Sequence, residues 1–137
     1  MKCETEQIYL RGDIVWVDND INISSSIQGG KRPYLIISNN LNNKYSDILT
    51  AVPLTSRYKK YLPTHHKILI NGIENTVLAE QITCISKENI IDYYDTINDE
   101  DLKKVEDKIK IQLELKGDKY GNWSWCKYTW KGNSKSV

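Results

Sequence analysis

Three polar clusters interrupt the apolar runs of this chain, and each carries groups suited to holding an anion. Gln28-Gly29-Gly30-Lys31-Arg32-Pro33 joins two glycines to a lysine and an arginine. Backbone N–H groups around such glycines can form an anion-binding nest, and a fixed positive charge follows at once. Pro53-Leu54-Thr55-Ser56-Arg57 adds two hydroxyls and a second arginine at the exit of an apolar segment. Glu80-Gln81 is a polar step inside Val77-Leu78-Ala79-Glu80-Gln81-Ile82. Each cluster alone has a plainer structural reading. Gly-Gly before a strand is commonly a turn, and Thr-Ser-Arg is commonly a solvated strand end. On a regular strand Glu80 and Gln81 point to opposite faces, one at an edge and one in a groove.

The arginines carry extra weight because they are rare. The chain has 16 lysines and three arginines, Arg11, Arg32 and Arg57, with abundant Ile and Asn and no Phe. Lysine cannot copy the planar fork with which arginine matches a phosphate. Other catalytic machinery is missing. There is no GxxxxGK[ST] phosphate loop, no GxGxxG, no HExxH and no GxSxG elbow. The two histidines, His65 and His66, are adjacent, so on a strand they point to opposite faces and only one could enter a given site. They read as a surface pair at a strand start. Three scattered cysteines, Cys3, Cys84 and Cys126, make no CxxC pair. They read as reduced thiols with Cys84 buried, and no metal site and no cofactor are expected.

The elements that position these clusters are mostly strands. Ile14–Val17 is β-branched and aromatic and apolar on both faces, as in a buried strand. Residues 19–31 form a long polar loop. Arg32-Pro33 opens a strand through Tyr34–Ile37, and Asn39–Asp47 reads as a loop. Ile48–Val52 is a third strand whose regular pairing should end at Pro53. His66–Ile70 is a fourth, and Asn71-Gly72 is a strong hairpin signal. Thr76–Ile85 returns as one long strand or two. Leu102, Val105, Ile109 and Leu113 then recur at helical spacing, behind Asn98 as N-cap and Asp99, Glu100 and Asp101 in the first turn. The spacing predicts a helix over 98–115, ended by Gly117. Five or so short strands followed by one helix fit a mainly β fold: a small, curved antiparallel barrel with a C-terminal helix packed on it.

With 137 residues, 39% apolar and 27% charged, the chain has the size and composition of one globular domain. No stretch approaches the roughly 20 apolar residues of a membrane helix. The first seven residues lack the apolar core of a signal peptide, so a cytoplasmic location and no membrane partner are expected. Nineteen basic and 18 acidic residues give +1 overall, which argues against charge-driven binding along the whole surface. The balance is uneven. Residues 1–115 hold 14 basic and 17 acidic side chains, whereas 116–137 hold five lysines against Asp118.

Taken in order, the segments resemble the MazF/PemK/Kid-type toxin endoribonucleases. The matching pieces are Arg11-Gly12-Asp13-Ile14-Val15-Trp16-Val17-Asp18, then Gln28–Pro33 with its apolar strand and Ser38-Asn39-Asn40. Val52-Pro53-Leu54-Thr55-Ser56-Arg57, Leu62-Pro63-Thr64-His65 and Leu78-Ala79-Glu80-Gln81-Ile82 follow, and the acid-capped helix also fits. The similarity is collinear over about residues 8–115, far more specific than any single cluster.

The resemblance implies an SH3-like barrel of the CcdB/PemK type and a homodimer with single-stranded RNA in grooves along the dimer interface. It implies metal-free, site-specific cleavage that leaves a 2′,3′-cyclic phosphate and a 5′-hydroxyl. It also implies neutralisation by a cognate antitoxin, with operator DNA bound only by the toxin–antitoxin complex. Arg32 and Thr55 take the catalytic roles. Gln28, Gly29, Gly30, Lys31, Ser56, Arg57 and Gln81 are the candidate RNA-binding residues. The alternative is a non-catalytic binding protein on the same fold, directed at an antitoxin, nucleic acid or a gyrase-type target.

Two positions depart from the family pattern. Ile27 stands where members commonly carry an acid, and Thr83 where many carry arginine. Residues 1–115 make the barrel domain, and 116–137 lie beyond the resemblance. That extension is basic and aromatic, with Tyr120, Trp123, Trp125, Tyr128 and Trp130, and is expected to pack on the barrel or on a second subunit.

Overall fold

A computed structural model describes residues 7–19, 30–57 and 59–115. The expectations for Cys3, Ile27, Gln28, Gly29, Gly117, Cys126 and the 116–137 extension lie outside those residues. The described chain forms a curled antiparallel half-barrel sheet and a C-terminal helix, the fold class expected from the strand-then-helix order. Its strands are β1 (Asp13–Asp18), β2 (Lys31–Ile36), β3 (Ile48–Thr55), β4 (His65–Ile70), β5 (Ile73–Leu78), β6 (Thr83–Ser86) and β7 (Ile90–Thr96). Lateral order is β4-β5-β3-β2-β1-β7, with β6 paired to the first half of β3. Helix α1 spans Asn40–Tyr45 and α2 spans Asp99–Leu113.

The curl gives the sheet two apolar surfaces. Ile14, Leu35, Val52, Leu54, Ile68, Ile70 and Val77 face α2, which presents Val105 with Leu102 and Ile109 at its side. Val15, Val17, Tyr34, Ile36, Leu49, Ala51 and Ile85 fill the other face. Alternate residues of β1 and β2 thus enter different cores, which is why both strands read as unbroken apolar runs. Arg11 ties the layers together, donating to Glu106 of α2 and, at 3.0 Å, to the Ile37 carbonyl. Among the described residues no helix is long and apolar enough to cross a membrane.

Several local expectations are corrected. Asn39–Asp47 is not all loop. Asn39 accepts a hydrogen bond from the Asn42 N–H at 2.8 Å and so caps α1. β3 continues through Pro53 to Thr55, with Pro53 opposite Tyr34 of β2. On its other side β3 pairs with β6 over Ile48–Ala51 and with β5 at Leu54–Thr55. Pro53 falls in the gap between these partners, where its missing N–H leaves no ladder bond unmade. The Thr76–Ile85 run is two strands, β5 and β6, one of the two readings expected, and a 3₁₀ turn at Ala79–Gln81 parts them. β7 is a further strand, packed along β1.

Asn71 and Gly72 both take left-handed φ values, 53° and 79°, as a two-residue hairpin requires. Asn98 caps α2, accepting from the Asp101 N–H at 2.7 Å. The helix ends at Leu113 rather than at Gly117, because Glu114 adopts a left-handed conformation and its N–H turns back to Ile111. Ile111 faces inward, and Leu113 is exposed. Cys84 is exposed as well, since it lies on β6 away from the core-facing Ile85.

Candidate functional site

Strand register brings the separated clusters together. Tyr34 lies opposite Pro53, Leu35 opposite Val52 and Ile36 opposite Ala51, so paired numbers sum to 87. Carried two residues further, that count sets Arg32 abreast of Thr55. Thr55 in turn pairs with Thr76 of β5. The two candidate catalytic residues are therefore cross-strand neighbours on one face at the end of the β2–β3 ladder.

A cavity of about 290 Å³ opens there. Lys31, Arg32, Thr55, Ser56 and Arg57 line it, so five of the nine candidates meet in one place. Lys59, Trp16, Pro33 and Leu54 complete the wall. Lys59 is a further cation at the cavity, and its only signal in the sequence is its closeness to Arg57. Gly30 sits just outside with φ 77°, a conformation that favours glycine, and hands the chain into β2. Gln81 is on the 3₁₀ turn and does not line the cavity.

The electrostatics are those of an anion site. Arg32 is half-buried, and its Nη1 is buried with no hydrogen-bond partner among the described residues. Burial lowers the guanidinium from its ordinary value; Tyr34 opposes this and the like charge of Arg57 adds to it. Arginine remains charged at neutral pH. A buried guanidinium nitrogen without a partner among the described residues is costly, and an entering phosphate oxygen would relieve it. Thr55 Oγ1 accepts the Arg57 backbone N–H at 3.1 Å, which leaves its own O–H to donate into the cavity.

Tyr34 lies two residues along β2 from Arg32, on the same face, and is held by Asn19. Asn19 donates through Nδ2 to the Tyr34 hydroxyl at 2.8 Å, while its backbone N–H reaches the Gly30 carbonyl at 3.0 Å. These two bonds tie Asn19 to Gly30 and to Tyr34 of β2. Burial raises the Tyr34 phenol above 10.0, with Arg32 and the Asn19 bond acting the other way. Of the three arginines, then, Arg11 is structural and the other two meet at the cavity.

The histidines do point to opposite faces, but they are not a surface pair. His65 is 5% exposed and its Nε2 lies 3.0 Å from Glu80. His66 Nε2 lies 3.0 Å from Asp101 of α2. Thr64 Oγ1 also donates to Glu80, at 2.8 Å. Glu80 thus braces the 3₁₀ turn against the start of β4, a role the strand reading of Glu80-Gln81 missed. Neither histidine lines the cavity. Among the described residues no group of three His, Cys, Asp or Glu side chains is placed to hold a metal ion.

Burial by itself would raise the Glu80 carboxyl, but hydrogen bonds from His65, Thr64 and the backbone outweigh it and hold the group below 4.5. A carboxylate with a depressed native pKa stabilises the fold above its unfolded value and loses that contribution as pH falls through the native one. Glu80→Gln is therefore expected to melt below wild type at pH 7, with the gap narrowing once pH drops below about 4.5. Thermal melts at pH 7 and pH 3.5 check this, and an equal gap at both would contradict it.

Comparison with known proteins places the chain among relatives. A family model described as PemK-like, MazF-like toxin of type II toxin–antitoxin system matches residues 10–113. The endoribonuclease EndoA of Bacillus subtilis is 34% identical over 113 residues, covering 79% of this chain and 97% of its own length. The crystal structure of MazF from Deinococcus radiodurans superposes with a TM-score of 0.70 at 25% identity, over 80% of this chain and 100% of that one. A mycobacterial endoribonuclease in complex with its cognate antitoxin shares the fold, with a TM-score of 0.67 at 24% identity over 80% and 98% of the two chains.

Proposed function

The chain belongs to the family of PemK-like, MazF-like toxins of type II toxin–antitoxin systems, and from that membership we propose a metal-independent, site-specific endoribonuclease acting on single-stranded RNA. The observation that carries the reading to this site is the half-buried Arg32 guanidinium, with its unpartnered Nη1, abreast of the Thr55 hydroxyl.

The attacking group is the 2′-hydroxyl of the RNA, so the protein need not supply a nucleophile. The 2′-oxygen bonds to phosphorus, the bond to the 5′-oxygen breaks, and a proton passes from the first oxygen to the second. The products are a 2′,3′-cyclic phosphate and a 5′-hydroxyl. The protein aligns the two oxygens about phosphorus and stabilises the charge that builds on the nonbridging oxygens. Arg32 pairs with those oxygens through its fork, and Thr55 donates one further hydrogen bond to the same phosphate. Lys31, Ser56 and Arg57 hold the adjoining backbone, and the Gln28-Gly29-Gly30 segment and Gln81 add contacts to RNA.

The working form in this reading is a cytoplasmic homodimer, neutralised by a cognate antitoxin and touching operator DNA only within that complex. Residues 1–115 form the catalytic domain and 116–137 an extension. The antitoxin assignment is supported by the mycobacterial neighbour solved with its own antitoxin.

Incubation of the protein with a long RNA in excess EDTA, followed by analysis of the product ends, tests the chemistry. Cyclic phosphate and 5′-hydroxyl ends are expected. Loss of cleavage in EDTA, or 5′-phosphate ends, would overturn it. An intact fold that never cleaves RNA would favour the non-catalytic binding reading, to which Ile27 in place of the family acid points. Thr55→Ala is expected to slow cleavage by about tenfold, because one neutral hydrogen bond is weaker than a charge-assisted one. Single-turnover rates on a fixed RNA measure this. A larger loss than that of Arg32→Ala would reverse the ranking.

A further inference from the structure

A second cavity of about 310 Å³ adjoins the first and shares Ser56, Arg57 and Lys59 with it. Its far wall is the β4–β5 hairpin, through Lys67, Ile73, Glu74 and Thr76. Register explains the continuity. Thr55 pairs with Thr76, and Thr76 with Lys67, so the row that begins at Arg32 runs straight across four neighbouring strands. Three strand spacings make that row about 14 Å long. A polynucleotide laid on it crosses the strands, with its phosphates along Arg32, Arg57 and Lys59 and the Lys67 end left for a neighbouring base.

The hairpin end of the row has features that the phosphate site lacks. Ile73 is 54% exposed and offers an apolar face to a base. Lys67 Nζ and Glu74 Oε1 are 3.9 Å apart, beyond hydrogen-bond distance, so each keeps its bonding capacity for a third group between them. A carboxylate only accepts and an ammonium only donates. The pair therefore fits a base edge that carries an exocyclic amine beside an acceptor nitrogen. Adenine and cytosine present that edge, whereas uracil puts a carbonyl where the amine would be.

We propose that this second cavity is a base-selecting subsite for a nucleotide flanking the scissile phosphate, with Glu74 and Lys67 reading an amino base that rests on Ile73. The proposal rests on Arg32 and Thr55 marking the scissile phosphate. An RNA fits better than an acidic polypeptide segment, because the carboxylate of Glu74 stands beside Lys67 in the wall. Glu74 repels an acidic side chain and attracts a base amine.

The test compares wild type, Lys67→Ala and Glu74→Ala by mapping all cuts on a long RNA of low secondary structure. Both residues are more than half exposed, so neither change threatens the fold. Wild type is expected to favour adenine or cytosine over uracil by about tenfold at one position beside the cut, and both variants to fall below about threefold there. The other flanking preferences and the product ends stay as in wild type. An unchanged preference in both variants overturns the proposal, as does an equal loss of cutting at every site. Binding of a fluorescent deca-glutamate peptide is measured on the same three proteins. Weaker peptide binding in the variants with unchanged cut sites would assign the surface to an acidic polypeptide instead and overturn it. Failure of wild type to cut any RNA removes the nuclease reading itself, and this one with it.

Discussion

Arg32→Ala is expected to cut the rate of RNA cleavage by about 10²-fold or more while leaving the melting temperature unchanged or slightly raised. The two halves of this result share one cause. In the proposed mechanism Arg32 contributes a preorganised charge where negative charge develops, and removing such a group typically costs on the order of 10²–10³ in rate. To be ready for that task the guanidinium is held half-buried beside Arg57 with Nη1 unpartnered. Among the described residues nothing pairs with Nη1, so folding carries a desolvation cost that a bound phosphate would offset. Alanine removes that cost together with the activity, a trade of stability against function. Arg32→Lys separates charge from geometry. It keeps the positive charge and loses the bidentate fork, so an intermediate rate is expected. Single-turnover cleavage and thermal melts on the same preparations decide the matter. A well-folded Arg32→Ala with near-normal cleavage would remove this residue from the mechanism. A variant that melts far below wild type would show that the guanidinium is a structural group.

How much of this was legible from residue types depends on the range of the interaction. Local signals read correctly: Asn71-Gly72 as a hairpin, Asn98 as a helix cap, the apolar spacing of α2. Each rests on a backbone preference or a periodicity contained within a few residues. Arg32 and Thr55 were found as chemically suitable types, but they lie 23 positions apart in the chain. Only the sum-of-87 register of β2 and β3 makes them neighbours. Pro53 was misread as a strand end because its tolerance depends on a gap between two partner strands. Glu80 was misread because its partners, Thr64 and His65, reach it across the β4–β5 pairing and turn an apparent strand into a 3₁₀ turn. His65 looked like a surface residue for the same reason. The second cavity had no sequence signal, since Lys67 and Glu74 are ordinary exposed charges until the hairpin folds them beside Arg57 and Lys59.

Replacing the 2′-hydroxyl by hydrogen at the nucleotide on the 5′ side of the cut is expected to abolish cleavage at that site, by about 10³-fold or more. The magnitude follows from the kind of nucleophile. An internal 2′-oxygen is held next to phosphorus with an effective molarity on the order of 10⁵–10⁸ M when well oriented. The cavity offers an arginine fork, a threonine hydroxyl and flanking lysines, which bind and stabilise an anion. Among the described residues that line it there is no carboxylate or imidazole to activate a water in the missing oxygen's place. His65 and His66, the only histidines, are engaged with Glu80 and Asp101 outside the cavity. The substituted strand should still bind, because the phosphate contacts proposed for Arg32 and Thr55 do not involve the 2′ position. It should therefore act as a competitive inhibitor with affinity close to that of the all-ribose strand. Cleavage and binding measured on the same oligonucleotide pair keep the two effects apart. Continued cutting of the deoxy-substituted strand at the same bond would mean that water is the nucleophile, and would send the search to residues that could activate it.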